Sequence, residues 1–173
     1  MKTEGQMRSR INYQYYVEGT DEKSLVNTLK TAGLVVPGKV EVFNMIQEKL
    51  TTVRIRPMGP GTIIVFIYDT DVEKTDILDS NLRFLRRQKN IKDILCIPQI
   101  QNLEDELRYS CKIKTVLDIT HSSSMKDFKH DFNSCRNLGD RLRQCGFSKE
   151  KLWSRQPTNG FREFGNDSEK VKL

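Results

Sequence analysis

The residues best suited to chemistry in this chain are acids at the ends of apolar runs. Asp69-Thr70-Asp71 follows directly on the apolar stretch Ile63 to Tyr68, and Glu18-Gly19 follows on Tyr13 to Val17, with Glu22 four residues further on. Two carboxylates ~4 Å apart repel by about 4 kcal/mol at an effective dielectric of about 20, so a fold that gathers them needs a compensating group. One candidate is a retained proton, held through a raised pKa. The other is a divalent cation, and hard carboxylate oxygens favour Mg²⁺ or Mn²⁺ over zinc. A plainer reading makes Asp69 and Asp71 turn and capping residues. The second strand-end acid, Glu18, weighs against it.

These acids meet only if the strands that carry them are neighbours. YQYYV, Tyr13 to Val17, is aromatic and β-branched and predicts a strand. Thr20 or Asp21 is placed to cap the helix after it, whose apolar positions Leu25, Val26, Leu29 and Ala32 have helical spacing and stop at Gly33. KVEVF, Lys39 to Phe43, predicts a second strand, Asn44 to Leu50 a short helix, and Thr51 to Arg56 an edge strand or an extended loop before the Pro57–Gly61 breaker. Ile63 to Tyr68 is continuously apolar, as a strand covered on both faces must be. A helix through Ile77, Leu78, Leu82 and Leu85 and a fourth strand, Ile94 to Ile97, closed by Pro98, come next. Asn102 to Ser110 predicts a helix and Val116 to Ile119 a last short strand.

Met125, Phe128, Phe132, Cys135, Leu138, Leu142 and Cys145 recur at three- and four-residue steps, which predicts one long amphipathic helix or two joined near Gly139, ending at Gly146. Ser148 to Trp153 reads as a helical turn, and the polar stretch from Ser154 on as a loosely ordered tail. Alternating strands and helices predict an α/β fold with a mainly parallel central sheet flanked by helices, plus a C-terminal helical appendage. In such sheets, functional groups collect where the carboxyl ends of the strands open into loops. The expected divisions are 1–120 for the catalytic α/β domain, 121–153 for helices packed on it, and 154–173 for the tail.

The net charge of +6 and pI near 9.2 fit a phosphate-bearing partner but do not require one. No apolar run reaches bilayer length, and Met1 to Arg10 lacks an apolar signal core, which predicts a cytoplasmic protein with no membrane partner and with reduced cysteines. Cys111, His121, His130 and Cys135 can be drawn as a zinc set, but their irregular gaps favour scattered thiols and surface imidazoles.

The segments YYVEGTDEKSLVNTLK and IIVFIYDTD together resemble a Toprim domain. This is the Rossmann-like catalytic module of topoisomerases, bacterial primases, ribosomal-RNA-maturing ribonucleases and the OLD (overcoming lysogenization defect) nucleases. Its pattern is a strand ending in Glu, usually followed by Gly, and a later strand ending in Asp-x-Asp. Here these are Glu18-Gly19 and Asp69-Thr70-Asp71. The OLD-type variant carries a further acid four residues after the first, matched by Glu22, and an acidic helix after the fourth strand, matched by NLEDEL. Within that helix the resemblance favours Glu104 as a ligand over Asp105 and Glu106, against the alternative of an exposed acidic face. The likeness covers roughly residues 12 to 110, and extends toward 145. Zinc-binding, tyrosine-bearing and GxxxxGK[ST] segments are missing, which leaves a small free-standing Toprim-like protein.

The resemblance implies a Mg²⁺- or Mn²⁺-dependent nuclease acting on DNA or RNA. Its metal ligands would be Glu18, Glu22, Asp69, Asp71 and Glu104, with Glu18, Asp69 and Asp71 also catalytic. It also implies a lysine late in the domain that offsets transition-state charge. Lys126 is the expected residue and Lys129 a close rival, against a solvated helix face for both. By family analogy the protein serves antiviral defence with a separate ATPase. Arg54, Arg56, Arg83, Arg86 and Arg87 could track a phosphate backbone. Trp153, Phe161 and Phe164, among Lys149, Lys151, Arg155 and Arg162, could stack on bases, dock a partner, or form a folded-back tail. Other classes fit less well. A haloacid-dehalogenase-like phosphatase places its Asp-x-Asp on the first strand with Thr two residues later, where this chain has Glu73, and a nucleotide-sugar transferase is usually longer. The strongest rival is a non-catalytic or partner-activated subunit that binds nucleic acid or an ATPase.

Overall fold

The computed structural model describes residues 11–173, so Met1 to Arg10, on which the lack of a signal core rested, lies outside the described residues. Four strands form an all-parallel sheet in the order β2-β1-β3-β4: β1 (Tyr13–Val17), β2 (Lys39–Val42), β3 (Thr62–Asp69) and β4 (Ile91–Gln99). Between and after them run α1 (Thr20–Thr31), α2 (Thr52–Ile55), α3 (Asp76–Arg86), α4 (Leu103–Ser110), α5 (Leu117–Thr120), α6 (Met125–Ser134) and α7 (Leu138–Gln144). This is the Rossmann-like α/β architecture expected from the alternating pattern. Among the described residues, no helix is long and apolar enough to cross a membrane.

The run of β3 is apolar throughout because both of its faces are covered. Ile63, Val65 and Ile67 enter a core with Leu25 and Leu29 of α1, Phe128 and Phe132 of α6, Leu142 of α7, and Trp153. Ile64, Phe66 and Tyr68 enter a second core with Leu78, Leu82 and Leu85 of α3, and Phe161. The chain winds from β1 outward to β2, then crosses back to place β3 on the other side of β1. The winding direction reverses between β1 and β3, and a crevice opens there above the carboxyl ends of the strands.

Several local expectations are corrected. Asn44 to Leu50 is a turn rather than a helix. The Asn44 Oδ1 accepts from the Ile46 and Gln47 amides, both at 3.1 Å, and the buried Asn81 of α3 bonds to Leu50 N, Met45 O and Glu48 O. Side-chain amides thus replace helical backbone pairing. Thr51 to Arg56 holds the short helix α2, not an edge strand or extended loop; Ile55 is buried while Val53 is 81% exposed, so the two-step apolar alternation marked no sheet face. Val116 to Ile119 is not a strand. It is the short helix α5, and Asp118 Oδ2 in its first turn accepts from the Lys114 and Thr115 amides, each at 3.2 Å, which folds the preceding loop onto the helix start.

The long C-terminal pattern is two helices, broken at extended Cys135 rather than at Gly139. Gly139 lies inside α7, where a Cβ would meet Thr28 Cγ2 at 3.5 Å, so it permits close packing on α1. The tail is ordered, contrary to expectation. Asp167 donates its N–H to Cys96 O at 2.8 Å and accepts from Cys96 N through Oδ2 at 3.0 Å, covering the outer edge of β4. Val36 N donates to Val171 O at 2.8 Å and Leu173 N to Leu34 O at 3.0 Å. Trp153 and Phe161 are fully buried and cannot stack on bases. β4 also runs through Pro98 to Gln99, because a proline's missing N–H is tolerated on an edge strand.

Candidate metal and catalytic site

At the crevice between β1 and β3 the acids converge. Asp69 is the last residue of β3, and its N–H donates to Glu18 Oε1, just beyond β1, at 3.3 Å. Asp69 Oδ1 accepts from Gln99 Nε2, at the end of β4, at 2.7 Å. Glu22 sits in the first turn of α1 and is buried. The cap of that helix is Gly19, not Thr20 or Asp21, and a Cβ there would lie 2.9 Å from Glu22 Oε2. The glycine after Glu18 thus has a physical role: it leaves room for the Glu22 carboxylate against the start of α1. Helix starts favour negative charge, and the backbone N–H of Glu22 favours the charged form of its own carboxylate.

These side chains line an open cleft of about 590 Å³ together with Glu104, Lys129 and His130. The structure separates the three acids of α4. Glu104 lines the cleft, with Lys129 Nζ 3.8 Å away. Asp105 pairs with Arg155 at 3.0 Å. Glu106 is fully buried and accepts from Ile100 N, Trp153 N and Arg155 at 2.9, 3.1 and 3.0 Å. Asp71 is exposed and lies outside the cleft lining, although its charge reaches Glu18 and Asp69. Lys126 is exposed and also outside that lining, whereas Lys129, one turn on, is within it. Arg54, Arg56, Arg83, Arg86 and Arg87 do not line it either. Arg54 instead lies over the Phe43 ring, 4.7 Å from its centroid, and Arg83 pairs with Asp79 at 2.7 Å.

The electrostatics of the cleft are those of acids short of a counter-charge. Burial, followed by the charges of Glu18 and Glu22, pushes Asp69 up to about 8, with the Gln99 amide pulling the other way. Burial also pushes Glu18 up to about 7, opposed by the Asp69 N–H and reinforced by Glu22 and Asp71. Burial first, and then Asp21 and Glu104, raise Glu22. Among the described residues, no lysine or arginine is among the influences on these three groups. Both compensations named from the sequence therefore remain chemically apt. Glu18 and Asp69 are pushed toward holding protons near neutral pH, and a hard divalent cation would displace them.

The donor set, all carboxylate oxygen, fits Mg²⁺ or Mn²⁺. Among the described residues, however, no three His, Cys, Asp or Glu side chains are already drawn into a metal-sized group, whether at this cleft or at the Cys111, His121, His130 and Cys135 set. Glu18 and Asp69 are instead turned toward a backbone N–H and a side-chain amide. Sequence reading missed Gln99. The signal was available in principle, because the end of β4 opens on the same rim, but Pro98 marked the strand's end one residue too soon. No protein-family model, curated protein or solved structure significantly matches the chain.

Proposed function

We propose that this protein is a Mg²⁺- or Mn²⁺-dependent nuclease that cleaves phosphodiester bonds of DNA or RNA. The observation that carries the proposal is the meeting of Glu18 and Asp69, 51 residues apart in sequence, as half-buried acids with no cationic partner among the described residues, at the switch point of a parallel sheet. Glu18, Glu22, Asp69 and Glu104 would hold the metal, with Asp71 at the rim. The bound ion supplies charge to the phosphate and acidity to a water molecule. The protein's own part is to orient the carboxylates and to offer Glu18, with its raised pKa, as a proton acceptor or donor near neutral pH. Lys129 is better placed than Lys126 to meet a phosphate, because it lines the cleft. Service in antiviral defence beside a separate ATPase belongs to the same proposal and rests on the Toprim resemblance, whereas a cytoplasmic location is proposed from the lack of a bilayer-length apolar run in the sequence.

One observation favours a second reading, a partner-activated or non-catalytic subunit: the carboxylates are not yet gathered into a metal-sized group among the described residues. The test incubates purified protein with plasmid DNA, single-stranded DNA and RNA in Mg²⁺ or Mn²⁺, wild type beside Asp69→Ala. Metal-dependent cutting that falls by well over a hundredfold in the variant is the expected result. Cutting that survives the substitution would assign the activity to a contaminant. Silence under every condition would favour the partner-dependent subunit.

A further inference from the structure

The side chain that connects the acids to the rest of the molecule is an amide. Gln99 is the register partner of Asp69 and is fully buried. Its Nε2 donates to Asp69 Oδ1 at 2.7 Å, and the amide lies near enough to Glu22 to favour that group's charged form. On its other side, Oε1 accepts from Trp153 Nε1 at 3.2 Å. An indole N–H can only donate, so it fixes which end of the amide faces the acids. A flipped amide would aim its oxygen at the Asp69 carboxylate and leave the indole N–H without an acceptor.

Trp153 is itself tightly held. Its N–H donates to Glu106 Oε2 at 3.1 Å, and its carbonyl accepts from Asn166 Nδ2 at 2.7 Å and Ser168 Oγ at 2.9 Å. Its φ of +57° is in the left-handed region, which is costly for a bulky residue and persists only where the surroundings impose it. The chain thus accepts a strained backbone at the point where the indole reaches Gln99.

We propose that Gln99, oriented by the Trp153 indole, is a positioning residue for the Asp69 carboxylate, and that the C-terminal segment from Trp153 to Ser168 is therefore part of the site. The amide occupies one Asp69 oxygen and leaves the other for a ligand, as partners behind a metal site commonly do. The C-terminal segment contributes no acid to the cleft lining, so what it gives the site through Trp153 is an amide held in register. The metal-binding arm of the test rests on the cation reading above; the spectroscopic arm does not.

Trp153 is the only tryptophan, so its indole N–H gives a single resonance in a ¹H–¹⁵N spectrum of the full-length protein. Without metal, Gln99→Met should move that resonance upfield, and Asp69→Ala should move it by a smaller amount through the intervening amide. In parallel, calorimetry with Mn²⁺ alone should show binding weakened ten- to a hundredfold by Gln99→Met and about fivefold by Trp153→Phe, which keeps the ring and removes the donor. An indole resonance that ignores both Gln99→Met and Asp69→Ala overturns the proposal, as does Mn²⁺ affinity unchanged in both Gln99→Met and Trp153→Phe. If Trp153→Phe fails to fold, the other two variants still decide the matter. If the resonance responds but wild type takes up no Mn²⁺, the positioning role stands and the cation reading falls.

Discussion

Glu106 on one side and Glu18, Glu22 and Asp69 on the other are acids drawn back from water near the sheet's carboxyl edge, and they are built in opposite ways. Glu106 is fully buried, yet every demand of its carboxylate is met, by Arg155 and two backbone amides. Glu22 is buried and Glu18 and Asp69 are half-buried, but they face one another with amides and, among the described residues, no cation. A chain able to supply an arginine to Glu106 is able to supply one to Asp69 as well. The contrast teaches that burial alone does not mark a functional acid; burial without a counter-charge does.

The contrast breaks most visibly at Arg155. Arg155→Ala leaves Glu106 buried and unpaired and should cost about 3 to 5 kcal/mol in chemical denaturation. A loss under 1 kcal/mol would mean that Glu106 is not held as described, and the comparison would lose one of its sides.

The second effect has the opposite sign. Glu18 and Asp69 are raised to about 7 and about 8, so between about pH 4 and pH 8 the folded state holds protons that the unfolded chain has lost. The folded state binds more protons there, so metal-free stability falls as pH rises through that window. Asp69→Asn removes one such group. It should raise the metal-free melting temperature at pH 8 by on the order of 5 °C while changing it little at pH 4. A variant that melts lower than wild type at pH 8 would show that the Asp69 charge is already compensated.

The smallest effect sharpens the rim. Lys129 competes with any cation for Glu104, and the pair is partly exposed. Lys129→Ala should tighten Mn²⁺ binding about twofold, and Lys126→Ala should leave it unchanged. The reverse ranking, read by the same titration, would restore Lys126 as the lysine of the site.

How much of this was legible from the residues depended on the range of the forces involved. The continuous apolarity of Ile63 to Tyr68 and the helical spacing of Leu25, Val26 and Leu29 are written locally, and they placed the central strand, the first helix and the rim that carries Glu18 and Asp69. Elements decided by one distant side chain were not legible. The turn at Asn44 to Leu50 depends on Asn81, some thirty residues away. The order of the tail depends on Asp167 meeting Cys96 across 71 residues. Both contacts are polar and leave no periodic trace. The same holds within the site. Strand-end acids announce themselves, whereas Gln99 is identified only by what it touches. The resemblance had already favoured Glu104 over Glu106, but Lys129 could be chosen over Lys126 only once α6 had a definite rotation against the cleft.

A crystal of the protein soaked in Mn²⁺ and measured at the manganese absorption edge tests the central claim most directly. The account predicts anomalous density between the Glu18 and Asp69 carboxylates, with Glu18 turned away from the Asp69 N–H to meet it. Well-ordered crystals in which those two side chains stay as they are, with no manganese between them, would contradict it.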